Sequence, residues 1–302
     1  MAISRAQLAK ELEPGLNALF GLEFGRYENE HSEIFEEESS DRAFEEEVML
    51  GGFATAPVKS EGGAVSFDDA QETYTARYTH ETIALAFSIT EEAIEDNLYD
   101  RLASRYTKAL ARSMATTKQI KAASILNNAF LTGANVIGDG AALCSAAHPS
   151  LSGNQTNLLA VAADLNETSL EQMLIDIAGF TDERGLKIAV RGTKLIIPKE
   201  LQFIAERVMN SALRSGTSDN DNNAMKNMGM LPEGAVVNHY LTDTDAYFIK
   251  TDAPNGFKYF NRAAIKTAME GDFDTGNMRF KARERYSFGV SDWRCVFGTP
   301  GA

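Results

Sequence analysis

The segment that decides the fold lies between Leu143 and Ser211. Its last part is Arg191-Gly-Thr-Lys-Leu-Ile-Ile-Pro-Lys-Glu-Leu-Gln202, which leads into an amphipathic stretch. Before it come Ala147-His148-Pro149, the polar turn Ser152-Gly-Asn-Gln-Thr-Asn157 and the capping-box sequence Thr168-Ser-Leu-Glu171. A capping box predicts a helix start because its side chains satisfy backbone N–H groups that lack partners in the first turn. None of these stretches has the pattern of a reaction centre, so the segment predicts a structural core.

The apolar pattern of the same segment predicts an α/β unit. Thr168–Thr181 repeats apolar residues at helical spacing, and Ile188–Val190 and Leu195–Ile197 are short apolar runs typical of buried strands. Pro198 suits the first position of the next helix, where the N–H that it lacks would have no partner. That helix carries one apolar stripe, formed by Leu201, Ile204, Ala205, Val208 and Met209.

Downstream, a polar loop precedes short strands. Ser215–Asn227 is polar and of low complexity, so it buries too little apolar surface to order itself, and we expect a mobile loop inside a folded domain. Three short strands are predicted after it, at Ala235–Val237, Ala246–Ile249 and Phe257–Phe260.

The strand predicted near the C-terminus has two chemically different faces, because side chains alternate along a strand. Met278, Phe280 and Ala282 point one way. The other way point the members of the basic stripe, which are Arg279, Lys281, Arg283 and Arg285. Three hypotheses account for the stripe: an exposed strand edge kept soluble by charge, a docking surface for acidic residues, and a contact with nucleic acid.

Upstream of the segment, the pattern predicts a long helix over Thr90–Leu131. It begins at the capping-box sequence Ser88-Ile-Thr-Glu91, contains no Gly or Pro, and has a stop signal at Thr132-Gly133. Its apolar residues recur every four positions, at Ile94, Leu98, Leu102, Tyr106, Leu110 and Met114, and the stripe continues through Thr117, Ile120 and Ser124. Such a helix would be about 60 Å long, which is enough to span a subunit.

The first ninety residues are predicted to form a helix, an acidic arm and an extended β-hairpin. Gly51–Ile89 shows period-two alternation around Gly-rich turns, which favours a long hairpin that returns directly into the helix. Glu28–Glu47 holds ten acidic residues against Arg42 alone. We weigh two hypotheses for this acidic segment: a solvated face, or docking on basic residues such as the basic stripe of the same or a neighbouring subunit.

Composition excludes several classes of protein. The chain has 302 residues and a formal charge of −14, which argues against a protein whose whole surface grips nucleic acid. No apolar run approaches the roughly 20 residues that span a bilayer, and the N-terminus has no secretion signal core. The two distant cysteines, Cys144 and Cys295, predict reduced thiols in a cytosolic product.

Candidate chemical sites are weak. Cys144 and His148 lie four residues apart, as a nucleophile and its base would on a helix, but Pro149 disfavours a helix there, and a structural role for His148 at a turn is preferred. Asp219–Asn223 begins like a calcium loop, yet Ala224 and Met230 replace the required Gly and Glu. Phosphate-binding and hydrolase motifs do not occur. No catalytic, cofactor-binding or metal-binding residue is therefore predicted.

The order of these elements resembles the major capsid protein of tailed bacteriophages, which has the Hong Kong 97-like fold. The turn at His148-Pro149, Asn157 and the step Leu195-Ile-Ile-Pro198 look like the head-subunit branch of that family. The resemblance covers essentially the whole chain and implies an α+β fold. It assigns an N-terminal arm (1–50), an extended loop (51–89), a peripheral domain with its spine helix (90–132), an axial domain (133–268) and peripheral return strands (269–302).

The resemblance also implies a structural, non-enzymatic function. Copies would form pentamers and hexamers of an icosahedral phage head around double-stranded DNA, assembled in the host cytoplasm. It implies separate scaffolding and portal proteins, decoration proteins as a further class of partner, and no cofactor or membrane. Two alternatives remain: a shell of the encapsulin type that packages protein, and a hydrolase whose site would rest on Cys144 and His148. Deletion of Met1–Leu50 is expected to abolish closed shells while leaving a soluble fold.

Overall fold

Mixed helix and sheet make up the chain, which confirms the predicted α+β class. A computed structural model describes residues 5–90, 92–93, 99–133, 137–213, 222–272 and 274–302, with side chains from Pro14 onward apart from those of residues 99–102. In this part of the chain, no helix has both the length and the apolar character needed to cross a bilayer.

The described helices and strands are defined by the following bounds. The helices are α1 (Arg5–Phe24), α2 (Tyr99–Asn127), α3 (Glu167–Ala178), α4 (Gln202–Asn210) and α5 (Ala224–Met228). The strands are β1 (Glu36–Ser39), β2 (Phe44–Gly51), β3 (Gln71–Thr79), β4 (Glu81–Ile89), β5 (Gly192–Ile197), β6 (Ala235–Val237), β7 (Tyr247–Thr251), β8 (Phe257–Gly271), β9 (Met278–Val290) and β10 (Val296–Thr299).

The first sheet has the strand order β1-β8-β9-β4, with β1 parallel to β8 and the other pairs antiparallel. The predicted alternation of β9 is confirmed, since Phe280 and Ala282 are buried while Arg279 and Lys281 are exposed. However, β9 lies between β8 and β4. The strand-edge hypothesis for the basic stripe is therefore wrong, and the stripe stands on a face in the middle of a sheet.

Helices α1 and α2 cover the apolar face of the first sheet. Leu16 and Phe20 of α1 and Leu110 and Met114 of α2 form one buried cluster with Phe280 of β9. The exclusion of this apolar surface from water is the main favourable contribution to the packing of helices on sheet.

The long helix ends four residues before the predicted Leu131, and the predicted stripe is buried only in part, at Leu110 and Met114 among its described residues. Thr90 Oγ1, rather than Ser88 in β4, accepts a bond from the Ala93 N–H at 3.4 Å. The described span of α2, Tyr99–Asn127, is about 43 Å long, and residues 91 and 94–98 lie outside the described ranges. Tyr106 and Ile120, which the four-residue repeat placed on the buried face, are 48% and 52% exposed. A turn holds 3.6 residues, so a strict four-residue repeat rotates away from the core.

The extended hairpin consists of β2 and β3, which pair in antiparallel fashion around the irregular loop 52–70. It begins at Phe44, inside the segment predicted as the arm. The strand β4 pairs with β9 and not with the hairpin, so the hairpin does not return directly into the long helix as predicted from Gly51–Ile89. The alternation of Val65 and Phe67 also produces no strand, because neither residue has a sheet or core to pack against.

The second sheet has the order β10-β7-β5-β6 and forms the centre of the larger core. The strands predicted at Leu195–Ile197, Ala235–Val237 and Ala246–Ile249 are confirmed to within a residue at their starts, except that β5 begins three residues earlier. The strand predicted at Ile188–Val190 is wrong. Ala189 there has a positive φ of 52°, which a continuous strand does not accommodate.

Helix boundaries around the second sheet also differ from prediction. The capping box of α3 joins Asn166 and Ser169, with Ser169 N–H donating to Asn166 Oδ1 at 2.8 Å, and Thr168 is not the cap. Pro198 precedes a short 3-10 turn, which leads into α4. Part of the predicted loop Ser215–Asn227 is helical instead, because Asn223 caps α5 by accepting from Lys226 N–H. Residues 214–221 are outside the described ranges.

Candidate assembly surface

A charge network fixes the root of the β2–β3 hairpin on the first sheet. The buried Lys258 ammonium bridges Glu38 Oε1, at 3.1 Å, and the Glu47 carboxylate. Glu47 also accepts a bond from the Ser291 hydroxyl, which contacts the Tyr78 hydroxyl. Burial alone would lower the pKa of Lys258, but the bonds and charges of the two carboxylates raise it. The ammonium therefore stays charged and ties both hairpin and β1 to β8.

Arg184 closes the two ends of the loop 52–70 against the body of the chain. Its Nε donates to the Gly52 carbonyl at 3.2 Å, and its Nη2 donates to the Asp69 carbonyl at 2.8 Å and to Asp68 Oδ1 at 3.3 Å. Asp68 Oδ2 in turn accepts from Ala54 N–H at 2.7 Å. That backbone bond, followed by the Arg184 charge, lowers the pKa of Asp68. We call this arrangement the Arg184 clasp.

Beyond the Arg184 clasp, the loop presents apolar side chains to solvent. Val58 is 100% exposed and Phe67 is 98% exposed, and Phe53 and Val65 are also mostly exposed. Single exposed apolar residues are ordinary on protein surfaces, but several on one protruding loop indicate a site of interaction with another molecule.

The acidic segment Glu28–Glu47 is largely exposed and contacts cations of its own chain at a few positions. Glu33 and Glu233 both contact the Lys194 ammonium, at 2.9 and 3.1 Å, and the Lys258 bridge holds the end of the segment. Each hypothesis therefore holds for part of the segment: most of its acidic side chains are exposed to solvent, and Glu33, Glu38 and Glu47 dock on Lys194 and Lys258 in place of the expected basic stripe. No described residue of the acidic segment pairs with the basic stripe.

His80 occupies the junction between the hairpin and the first sheet. Its Nε2 lies 2.9 Å from Ser40 Oγ, at the opposite root of the hairpin, and its Nδ1 lies 2.9 Å from Ser287 Oγ of β9. Ser40 already donates to Glu45 at 2.7 Å, so it accepts from His80, and His80 accepts from Ser287. Burial lowers the pKa of His80. The charged neighbours that modify this shift are Arg285, Glu45 and Arg262.

Cys144 and His148 are not arranged as a nucleophile and a base. His148 is buried, with Nδ1 2.7 Å from Asp139 Oδ2 and Nε2 3.0 Å from Asn157 Oδ1, and its ring stacks on Trp293 at 4.5 Å. Burial raises the pKa of the Cys144 thiol far above its ordinary value, which disfavours the thiolate that acts as nucleophile. His148 instead fixes the turn that it shares with Gln155, whose backbone it bonds in both directions.

Metal-binding side chains do not cluster in the described ranges, where no group of three or more suitable residues is close enough to hold an ion. His31 is buried beside Tyr259, and His239 pairs with Glu30 at 2.8 Å. Of the calcium-like stretch, Asp219 lies outside the described residues, and Asn223 serves as a helix cap.

Sequence reasoning missed three cations that organise the fold, namely Lys194, Lys258 and Arg294. Arg294 is buried, contacts Glu183 at 2.9 Å and lies over the ring of Trp293. The sequence did indicate that these cations are buried and paired, since each lies in or beside an apolar stretch and a buried charge needs a partner. The identity of that partner was not available, because Glu183 is more than a hundred residues away in sequence.

Comparison with known proteins supports the resemblance. The family model described as phage capsid protein matches residues 73–298. No curated protein sequence matches the chain. Many solved structures are similar in fold, and the three described next are only distantly related to this chain in sequence.

The capsid of a native GTA particle is 11% identical, has a TM-score of 0.55 and is matched over 91% of both chains. The capsid of Myoviridae phage XM1 is 11% identical, with a TM-score of 0.53 over 89% of both chains. A virus-like particle from Pyrococcus furiosus is 9% identical, with a TM-score of 0.50 over 94% of this chain and 97% of that chain.

At these identities the solved structures bear on the fold, and they agree with the expected Hong Kong 97-like fold. The family model shows family membership as well as fold, because it matches most of the chain, from β3 into β10. The chain belongs to the phage capsid protein family.

Proposed function

We propose that this capsid protein assembles through pentamers and hexamers into an icosahedral phage head around double-stranded DNA. The loop 53–67 is the observation that carries the proposal. It protrudes from a well-anchored root, and its fully exposed Val58 and Phe67 have no described surface of their own chain to cover them. Burying each of these side chains on a neighbouring copy would contribute roughly 1.5–3 kcal/mol.

Such contacts are heterologous, because the loop of one copy meets a different surface of the next. Heterologous contacts close into rings when the rotation between copies permits, which is the geometry of pentamers and hexamers. A weak contact repeated around a ring and across a shell gains strength through avidity. A few apolar side chains per copy are therefore sufficient to favour a closed particle.

The division of labour along the chain follows the resemblance. We assign residues 1–50 to the arm, 51–89 to the extended loop, 90–132 to the peripheral domain with its spine helix, 133–268 to the axial domain and 269–302 to the peripheral return strands. The strand β8 runs from Phe257 to Gly271 and pairs with β9 along this length, so the bound at residue 268 falls inside a strand of the first sheet.

The remaining partners and the location also belong to the proposal. Separate scaffolding and portal proteins, with decoration proteins as a further class, would act during assembly in the host cytoplasm. The chain would have no enzymatic activity. An encapsulin-type shell shares the fold, and the contents of purified particles distinguish the two functions: nucleic acid supports the phage head, and packaged protein supports the alternative.

A deletion of Met1–Leu50 is not a clean test of assembly. Ile34 and Phe35 lie in the larger core, and β1 is a strand of the first sheet. Their removal would expose the core, so the expectation of a soluble truncated fold does not agree with the packing. A substitution in the exposed loop tests assembly without this cost.

The sharper test is the double variant Val58→Ser/Phe67→Ser, with Val58→Ile/Phe67→Leu as the matched control. Both positions are exposed in the single chain, so we expect unfolding midpoints equal to that of the wild type. Shells seen by negative-stain microscopy and sedimentation should disappear in the Ser variant and persist in the control. Wild-type yields of closed shells from the Ser variant would contradict the proposal.

A further inference from the structure

The first sheet has one face that neither α1 nor α2 covers, and we call it the open face. Its central row is the basic stripe of β9. On β4 it carries Thr82, Ala84, Ala86 and Ser88, and on β8 it carries Ala264, Lys266, Ala268 and Glu270, all of which are exposed. The open face is therefore a three-stranded surface of small residues with a row of cations along its middle.

The cations of the open face are largely unpaired, in a chain whose acidic residues outnumber its basic ones by 14. Arg279 pairs with Asp272, but among the described residues Lys266, Lys281 and Arg283 have no acidic partner. The buried Nε of Arg285 has no hydrogen-bond partner in this part of the chain either. A surplus of acids makes such a concentration of unpaired cations unexpected.

The arrangement also places like charges directly opposite each other. Lys266 of β8 is the register partner of Arg283 of β9. Like charges that face each other across neighbouring strands destabilise a sheet. An anion bound between them would remove this repulsion, so the open face gains stability from an anionic partner.

The spacing of the row suits an extended polyanion. Alternate residues on a strand are about 6.6–6.8 Å apart, so the four cations of the stripe span about 20 Å. The neighbours Ala84, Ala86 and Ala268 are too short to stand between the row and a partner that lies along it. No aromatic side chain stands on the described part of the open face, so it offers no platform for stacking unpaired bases.

We propose that the open face binds the phosphate backbone of double-stranded DNA, without regard to its sequence. This inference rests on the proposed function, because it assigns the shell a surface that touches its DNA. Phosphate contacts of Lys and Arg release condensed counterions and carry no base specificity. The chain's own acidic segment is a less suitable partner, since three of its ten acidic residues, Glu33, Glu38 and Glu47, are already bound by Lys194 and Lys258.

The test measures binding of the unassembled full-length chain to a fluorescent 30-bp DNA duplex by anisotropy, between about 50 and 200 mM salt, since a closed shell would exclude the added duplex from its interior. The variant is Lys281→Gln/Arg283→Gln. The matched control is Lys108→Gln/Arg112→Gln, which removes the same charge from exposed positions of α2. Four phosphate contacts predict a fall in affinity of about a hundredfold across this salt range, and two contacts predict about tenfold. The affinity of the wild type and of the control should therefore fall about a hundredfold with salt, and the affinity of the variant should fall about tenfold.

Two further readouts separate this inference from the proposed function. Shells should form in wild type, control and variant alike, and the variant should unfold at an equal or higher urea concentration because the repulsion with Lys266 is relieved. Equal salt dependence in variant and control would overturn the inference. Loss of shells with unchanged DNA binding would also overturn it, by assigning the open face to contacts between copies. Displacement of the duplex by polyglutamate at equal charge would assign the face to an acidic polypeptide. Failure of the wild type to form shells would count against the proposed function instead.

Discussion

Removal of the Arg184 clasp should free the loop without unfolding the protein. In Arg184→Ala, the carbonyls of Gly52 and Asp69 lose their donors, and Asp68 loses its nearest cation. At a partly exposed site each of the two lost carbonyl bonds is worth roughly 0.5–1 kcal/mol, which gives about 1–2 kcal/mol in favour of the open loop. Because about 1.4 kcal/mol is a factor of ten, loop opening should become roughly tenfold more frequent.

Hydrogen exchange at the Ala54 amide measures this opening, because that amide is bonded to Asp68, which Arg184 holds. We expect roughly tenfold faster exchange at Ala54 in Arg184→Ala, with unchanged protection in β7. Arg207→Ala is the matched control, since the bond that Arg207 makes among the described residues lies within its own helix. An unchanged rate at Ala54 would refute the clasp, and a loss of protection in β7 would show that Arg184 supports the core rather than the loop.

Three other substitutions test the buried polar contacts. Arg294→Ala leaves the Glu183 carboxylate buried and unpaired, so urea unfolding should show a loss of about 3–5 kcal/mol, and a loss below 1 kcal/mol would contradict this. Asn157→Ala removes the donor that serves three backbone carbonyls, and the same assay should show a loss of about 2–4 kcal/mol. The lowered pKa of His80 means that its stabilising effect is present above its ordinary pKa of 6.5 and is lost as the pH falls below it. His80→Gln should therefore flatten the decline of the urea midpoint between pH 8 and pH 5.5, and a decline as steep as that of the wild type would contradict this.

Periodicity was a good guide wherever one local face decides the structure. The alternation of β9 from Met278 to Ala282 and the apolar run Leu195–Ile197 both correspond to observed strands, because burial of one face fixes which residues point inward. Periodicity failed where the structure of a segment depends on pairing with another strand. Val65 and Phe67 alternate as a strand would, yet they have no partner strand in the described chain and stay irregular.

The start of α3 and the buried face of α2 depend on backbone geometry and on packing, which the apolar pattern of the sequence does not specify. Asn166 and Thr168 are both plausible caps by composition, and the choice of Asn166 is made by the backbone geometry of the incoming chain. The buried stripe of α2 is likewise set by the sheet that it covers. Tyr106 belongs to the four-residue repeat but is 48% exposed, and its ring meets only Phe87 of the edge strand β4 among the described aromatic side chains.

The sequence by itself determined the class of the fold, the order of its main elements and the alternating chemistry of β9, because each depends on neighbours along the chain. Only the tertiary structure decided the partners: β2 with β3, Lys258 with Glu47, and Arg184 with both ends of the loop. Many distant residues carry a complementary charge or an apolar face, and the sequence does not choose among them. Close packing does choose, because only one arrangement fills the cores and pairs the buried charges together.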